Sequence, residues 1–328
     1  MQAILPLAGK GTRLRPHTHT RPKPLLRVAN RPVLDRVIDL LAEAGVDEII
    51  GVMGHLAGDI EAHLAEFHAG LKFTPVEQRQ QLGTADAIRL ARPHVAGPVL
   101  IVFVDTLFEA DLGLITARPD ADGIIWAKEV EDYQRFGVIV QDDEGFMRRI
   151  VEKPSEPISR LANIGLYYIR DHGLLYEGID HVMAQPPKLG EYFLTDAFQY
   201  MVDHGSRILT AEVGEWLDCG KVETLLDTNA RLLAGGEDRP PPAGSDVEVL
   251  GDVCVADGVE FNGATIGPNV SIGTGSKIVR SRLSHCIIGE HTTLEDCDLR
   301  SSLIGDHVEA SGVRGRASLG DHTTVWTD

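Results

Sequence analysis

A short apolar run, QAILPLA, leads into Gly9-Lys10-Gly11-Thr12-Arg13, and Lys23 follows in Pro22-Lys23-Pro24. Glycine at 9 and 11 lets backbone N–H groups approach an anion with no Cβ in the way, and a strand turning through glycine into a helix start is an anion seat. Arg13 can fork onto two phosphate oxygens, and Lys23 adds a mobile point charge. Between residues 6 and 26 stand Lys10, Arg13, Arg15, Arg21 and Lys23, and no carboxylate. A solvated basic loop is the alternative. The pattern is neither a Walker A sequence, since no Gly-Lys-Ser/Thr follows at the right spacing, nor the G-x-G-x-x-G dinucleotide fingerprint.

Further along, Asp105 ends the apolar run PVLIVFVD. Open α/β sheets bind ligands at strand ends, so Asp105 is a candidate ligand, with capping of the next helix as the alternative. Asp218 could equally pair with Lys221, Glu152 with Lys153 at the surface, and Asn163 could serve a turn.

The elements that must hold these residues alternate in kind. QAILPLA and EIIGVMG read as strands, RPVLDRVIDLLAEAG as a helix closed by Gly45, and GTADAIRLARPHV as a short helix. DGIIWAKEV, FGVIVQD and NIGLYYIR are strand-like, while LTDAFQYMVDHG and KVETLLDTNARLLAG are helical. The order predicts an α/β domain over residues 1–234, Rossmann-like, with a mixed and mainly parallel sheet. Residues 235–246, GGEDRPPPAGSD, break every apolar period and read as a linker. Beyond it, Ile266-Gly267, Ile272-Gly273 and Ile278 recur every six residues, and Ile288-Gly289 and Leu294 repeat the step. Such hexads predict a left-handed parallel β-helix over 247–328, with about four coils of roughly 18 residues.

The chain has 328 residues, 43% hydrophobic, and a net charge of -18. That acidity argues against a nucleic-acid surface, which shows a broad basic face, and leaves room for a small anionic ligand at a local cluster. No apolar run reaches the length of a membrane span, and the N-terminus lacks signal-peptide features. Cys219, Cys254, Cys286 and Cys297 form no C-x-x-C pair, which suits reduced thiols and a cytoplasmic protein.

G-x-G-T-R-L-R-P followed by P-K-P resembles the signature of the nucleoside-triphosphate:sugar-1-phosphate nucleotidyltransferases, including thymidylyl- and uridylyltransferases. The resemblance continues through Gln78, Gln81-Leu82-Gly83-Thr84-Ala85, Asp105, Phe136-Gly137, Glu152-Lys153-Pro154, Asn163-Ile164-Gly165, Glu191 and Trp216-Leu217-Asp218, and it includes the β-helix. It implies nucleotide binding by Leu7, Ala8, Gly9, Gly11, Thr12, Gln78, Gly83 and Thr84, and sugar binding by Gly137, Glu152, Asn163 and Glu191. Arg13, Lys23, Asp105 and Lys153 are the implied catalytic residues, with Asp105 and Asp218 as ligands of Mg2+. The turn Leu7-Ala8-Gly9-Lys10-Gly11 lacks the extra glycine of most thymidylyltransferases and is nearer to uridylyltransferases. Val104 also replaces the glycine that often precedes the aspartate.

The implied reaction is attack of a sugar 1-phosphate on the α-phosphate of dTTP or UTP, with glucose 1-phosphate the favoured acceptor. It brings polyanions together, so positive charge and a metal serve it, and no general base is needed. A catalytically silent sugar-nucleotide-binding subunit is the alternative, as is a second, acyltransferase activity in the β-helix. His285, His291, His307 and His322 read as solvated turn residues, and the coils as an assembly surface for a homo-oligomer.

Overall fold

The structure is a computed structural model that describes residues 1–327. Packing divides the chain into two compact units: Met1–Gly9 with Val37–Trp216, and Lys10–Arg36 with residues from Leu217 onward. One boundary falls inside the glycine turn, and the segment 235–246 lies within the second unit.

The first unit is built on a nine-stranded mixed sheet. Its strands are β1 (Gln2–Pro6), β2 (Glu48–Met53), β3 (Lys72–Glu77), β4 (Val99–Val102), β5 (Gly123–Glu129), β6 (Gly137–Gln141), β7 (Met147–Glu152), β8 (Leu161–Ile169) and β9 (Ile208–Glu212). The order runs β7-β6-β8-β4-β1-β2-β3, with β5 joined to β8 and β9. Strands β3, β2, β1 and β4 are parallel, as the near-continuous apolar runs of β1, β2 and β4 require when both faces are covered. Strand β8 is antiparallel to β4, β5 and β6, and its pairing with β5 shifts register between Asn163 and Tyr167. Helices α1 (Val33–Glu43, its first turn in the second unit), α3 (Thr84–Ala91) and α5 (Leu194–Asp203) follow the expected apolar spacing, and α2 (Ala57–Phe67) and α4 (His172–Met183) add two that the sequence reading did not name. Ile4, Ile50, Ile101 and Ile125 pack with Ile88, Leu175 and Phe198 in the core. The run expected to end on Asp105 stops pairing at Val102. Phe103 N bonds Gly165 O at 2.9 Å, and Asp105 lies in the bend before Thr106–Phe108.

The second unit contains a parallel β-helix. Its three faces each carry five short rungs, one face running 260–262, 277–279, 293–295, 309–311 and 324–326. The coils are shorter than expected and tighten along the chain. Val247 pairs with Ala264 seventeen positions on, Ile278 with Leu294 sixteen on, and Ala310 with Val325 fifteen on. Ile266, Ile272, Ile278, Ile288, Leu294 and Leu299 fill the interior, as the hexads predict. Buried hydroxyls serve the corners: Ser276 Oγ donates to Gly289 O at 2.8 Å and accepts from Thr292 N at 3.1 Å. His291, His307 and His322 are exposed corner residues with positive φ, stacked at 5.2 and 4.9 Å. Helix α6 (Val222–Leu232) packs in the same unit, where Asn229 Oδ1 accepts from Ala29 N at 2.8 Å and Ser271 Oγ at 2.7 Å. The segment expected to be a linker is anchored there by Arg36, which clasps Glu237 at 2.5 and 2.6 Å, and by Arg239 N on Val253 O at 2.7 Å.

Candidate active site

In the first unit, β1 delivers Leu7 and Ala8, both buried, and Leu7 N bonds Val52 O at 2.7 Å. Gln81 Nε2 donates to Ala8 O, tying the segment after β3 to the turn after β1. Two stretches some seventy residues apart in sequence thus meet where nucleotide binding was expected. Gly83, at φ 119°, starts α3, and a Cβ there would lie 2.6 Å from Tyr192 N and strike Tyr192 O. Only glycine lets the chain pass. Ala85 N then bonds Tyr192 O at 2.9 Å, and the Thr84 hydroxyl accepts from Leu194 N at 2.9 Å, so the Glu191 segment is docked on the Gly83 turn.

Gln78 is only 6% exposed and donates through Nε2 to Asp86 Oδ2 at 3.0 Å. A carboxylate accepts only, so this bond fixes the amide with Oε1 as its accepting end. Asp86 is held in turn by Arg89 Nη2 at 2.7 Å. Asp86 is a positioning residue that the sequence reading missed; its signal was a carboxylate two places after Thr84 on the buried face of a helix.

The expected sugar residues form a second cluster on β6, β7 and β8. Asn163 Nδ2 donates to Gly137 O at 2.7 Å and its Oδ1 accepts from the Tyr167 hydroxyl. Burial, with Glu152 and Asp105 adding, pushes the Tyr167 phenol well above its usual range and keeps it a donor. A Cβ at Gly137 would stand 2.8 Å from Glu152 Oε2. Thr195 Oγ1 donates to Glu152 Oε2 at 3.1 Å, and burial raises the Glu152 carboxyl against the pull of Lys153 and Thr195. Lys153 adopts φ 45°, an uncommon backbone for a side chain of its size, and its ammonium lies 4.8 Å from the Phe193 ring centroid. Glu152, Lys153, Lys188, Phe193 and Asp196 border an open cleft of about 650 Å3. Glu191 is exposed, and Asp105 half-buried in its bend.

The second unit holds the remaining expected residues. Gly11, at φ 58°, would place a Cβ 2.8 Å from Thr18 Cγ2, and Thr18 Oγ1 closes the turn on Gly11 O at 2.8 Å. Exposed Thr12 and Arg13 follow in the turn Thr12–Leu14, and half-buried Lys23 opens the turn Lys23–Leu25. Asp218 Oδ1 accepts from Gly220 N at 2.7 Å. A Cβ at Gly220 would lie 2.7 Å from Asp218 Oδ1 and 3.3 Å from Arg13 Nη2, so carboxylate and guanidinium converge on one glycine.

The fold is that of a nucleotide-transferring class: residues 2–235 match the nucleotidyl transferase family, and the chain belongs to it. It is similar to glucose-1-phosphate thymidylyltransferase of Streptomyces griseus, with 31% identity over 99% of this chain and 93% of that one. UTP–glucose-1-phosphate uridylyltransferase AglF of Haloferax volcanii is 32% identical over 71% of this chain and 96% of its own. A crystal structure of UDP-glucose pyrophosphorylase complexed with UDP-glucose shares the fold, with a TM-score of 0.64 at 24% identity over 71% of this chain and 98% of that one. No helix among the described residues is long and apolar enough to cross a membrane.

Proposed function

We propose that this protein joins a nucleoside triphosphate, dTTP or UTP, to a sugar 1-phosphate, with glucose 1-phosphate as the favoured acceptor. The observation that carries the reading is the Gln81–Ala8 bond. It brings Leu7–Gly9 and Gln78–Thr84 together in the same unit as the Glu152, Lys153 and Asn163 cluster, which supports reading the two segments as one nucleotide seat. A phosphate oxygen of the sugar 1-phosphate, already ionised, attacks the α-phosphorus; the new P–O bond forms as the bond to pyrophosphate breaks. Arg13 and Lys23 offset phosphate charge, and Gln78 presents an acceptor for the N3–H of a pyrimidine. Lys153 holds the sugar phosphate, while Glu152, Asn163 and Glu191 receive hydroxyls.

In this reading Asp105 and Asp218 are the ligands of Mg2+, whose bound form neutralises phosphate charge. Both supply the hard oxygen donors that magnesium prefers, and Asp218 is already oriented by Gly220 N at 2.7 Å. The reading places the protein in the cytoplasm, where its four buried cysteines, none of them in a disulfide, stay reduced. It also makes it a homo-oligomer through the β-helix, whose last rung leaves Trp326 73% exposed.

A matrix of sugar 1-phosphates against nucleoside triphosphates, read by pyrophosphate release with added Mg2+, tests the reaction. Turnover is expected with glucose 1-phosphate and dTTP or UTP. A blank matrix overturns the proposal.

A further inference from the structure

The β-helix repeats one triplet at three successive corners: Gly289-Glu290-His291, Gly305-Asp306-His307 and Gly320-Asp321-His322. The glycines are required by the stacking, since a Cβ at Gly289 would lie against the Gly305 backbone and one at Gly305 would stand 2.6 Å from Asp321 N. The histidines stack on the surface. The three acids between them are tied into a ladder, with Asp306 Oδ1 accepting Glu290 N at 2.8 Å and Asp321 Oδ1 accepting Asp306 N at 2.8 Å.

The other oxygens of this ladder hold the loop that carries Arg13 and Lys23, which belongs to the same unit. Arg21 Nη2 pairs with Asp306 Oδ2, and Arg27 reaches Glu290 at 2.9 Å and Asp306 at 3.7 Å. Thr20 Oγ1 donates to Asp321 Oδ2 at 2.8 Å. His17 Nε2 meets Ser318 Oγ at 3.0 Å, and Pro16 packs within 3.1 Å of a Cβ position at Gly320. His17 is 3% exposed and Asp306 7%, while Arg21, Arg27 and Glu290 are half-buried, so the charge pairs on Asp306 are partly desolvated and set geometry more firmly than fully exposed pairs do. Loop residues 16, 17, 20, 21 and 27 are thus clamped on both sides of Lys23, the nearest of them, Pro16, three residues from Arg13.

We infer that Asp306, with Glu290 and Asp321, positions the phosphate-binding loop, so that the last coils of the β-helix are part of the transfer machinery. Asp306 and Arg21 are positioning residues, acting on the nucleotide through Arg13 and Lys23. Their removal lets the loop move and lowers stabilisation of the transferring phosphate, because a positional error of about 1 Å is enough to cost about a hundredfold in rate. This inference rests on the proposed role of Arg13 and Lys23 in triphosphate binding.

The test is steady-state kinetics of the full chain with dTTP or UTP and glucose 1-phosphate. Asp306→Asn keeps the acceptor for Glu290 N and loses the charge facing Arg21 and Arg27. Its kcat is expected to fall at least tenfold, with KM for the sugar phosphate within twofold of the parent, and Asp306→Glu should recover most of the loss. Hydrogen exchange of peptides covering 10–27 should quicken while β1 and β4 stay protected. Thr20→Val, at an exposed position, is the gentler variant should Asp306→Asn not fold, with an expected two- to fivefold loss of kcat. An Asp306→Asn or Thr20→Val enzyme with unchanged kcat and loop exchange overturns the inference, even if its melting temperature drops. Arg13→Ala separates the two levels: an active Arg13→Ala enzyme removes the underlying reading, whereas an inactive one beside a fully active Asp306→Asn removes only the positioning role.

Discussion

Glu152, proposed to receive a sugar hydroxyl, trades stability for that role. Burial raises its carboxyl above the ordinary value, so the unfolded chain releases this proton at lower pH than the folded chain does. Stability from this group is therefore present in acid, declines as pH rises from the unfolded to the folded value, and stays lost above it. Glu152→Gln keeps the hydrogen-bonding shape without the buried charge. Its melting temperature should exceed that of the parent at neutral pH, with the gap closing in mild acid, while kcat/KM for the sugar phosphate falls roughly tenfold or more. A parallel pair of pH–melting curves would sink this account of Glu152. At the same scale the structure supplies a role for Arg21 and His17, which sequence left unassigned. Burial lowers the His17 imidazole to about 4, with Arg21 adding to that effect and Asp321 opposing it, so it stays neutral where it meets Ser318.

Among the elements, the glycines at the two turns expected to bind nucleotide differ in what they tolerate. A Cβ at Gly9 meets nothing within 4 Å, whereas one at Gly83 runs into the Tyr192 backbone at a left-handed φ of 119°. Gly83→Ala should lose about 2–4 kcal/mol of stability, because neither the strained backbone nor the carbonyl can give way cheaply. Gly9→Ala should melt as the parent does and lose activity only, as expected if open backbone at this turn receives phosphate. Chemical denaturation of both variants checks the contrast, and equal midpoints would contradict it. The apolar hexads announced the β-helix rungs because each interior position must be aliphatic whatever surrounds it. Coil length was less legible. Corners at Arg280, Asp296 and Ser301 adopt positive φ in polar residues, and sequence marks no shortened corner there.

For the whole molecule, the composition break at 235–246 does not coincide with a break in packing. Lys10–Arg36 and α6 belong with the β-helix, where Ala29, Leu233 and Cys254 form a shared buried cluster. Truncation before residue 247 would remove Cys254 from that cluster, uncovering Ala29 and Leu233, and would remove every partner of the Pro16–Arg27 clamp. The shortened chain should therefore show reduced solubility and at least a tenfold loss of turnover, together with any change of oligomeric mass; a soluble, fully active fragment would refute the prediction.

Local chemistry was determined by the sequence alone: the glycine turn with Arg13 and Lys23, the strand and helix periods, the hexads, and the order of motifs that marks the family. These are legible because they depend on residue type within a few positions, such as a Cβ that must be absent or a face that must be apolar. Tertiary structure alone decided which distant groups meet. Gln81 reaches Ala8 across 73 residues of chain, Asn163 reaches Gly137 across 26, and Arg21 finds Asp306 across 285. No periodicity encodes such a pairing. A hydrogen bond or a buried charge pair is fixed by the path of the whole backbone, and the basic loop after β1 meets its acids, Glu290, Asp306 and Asp321, more than 250 residues further on.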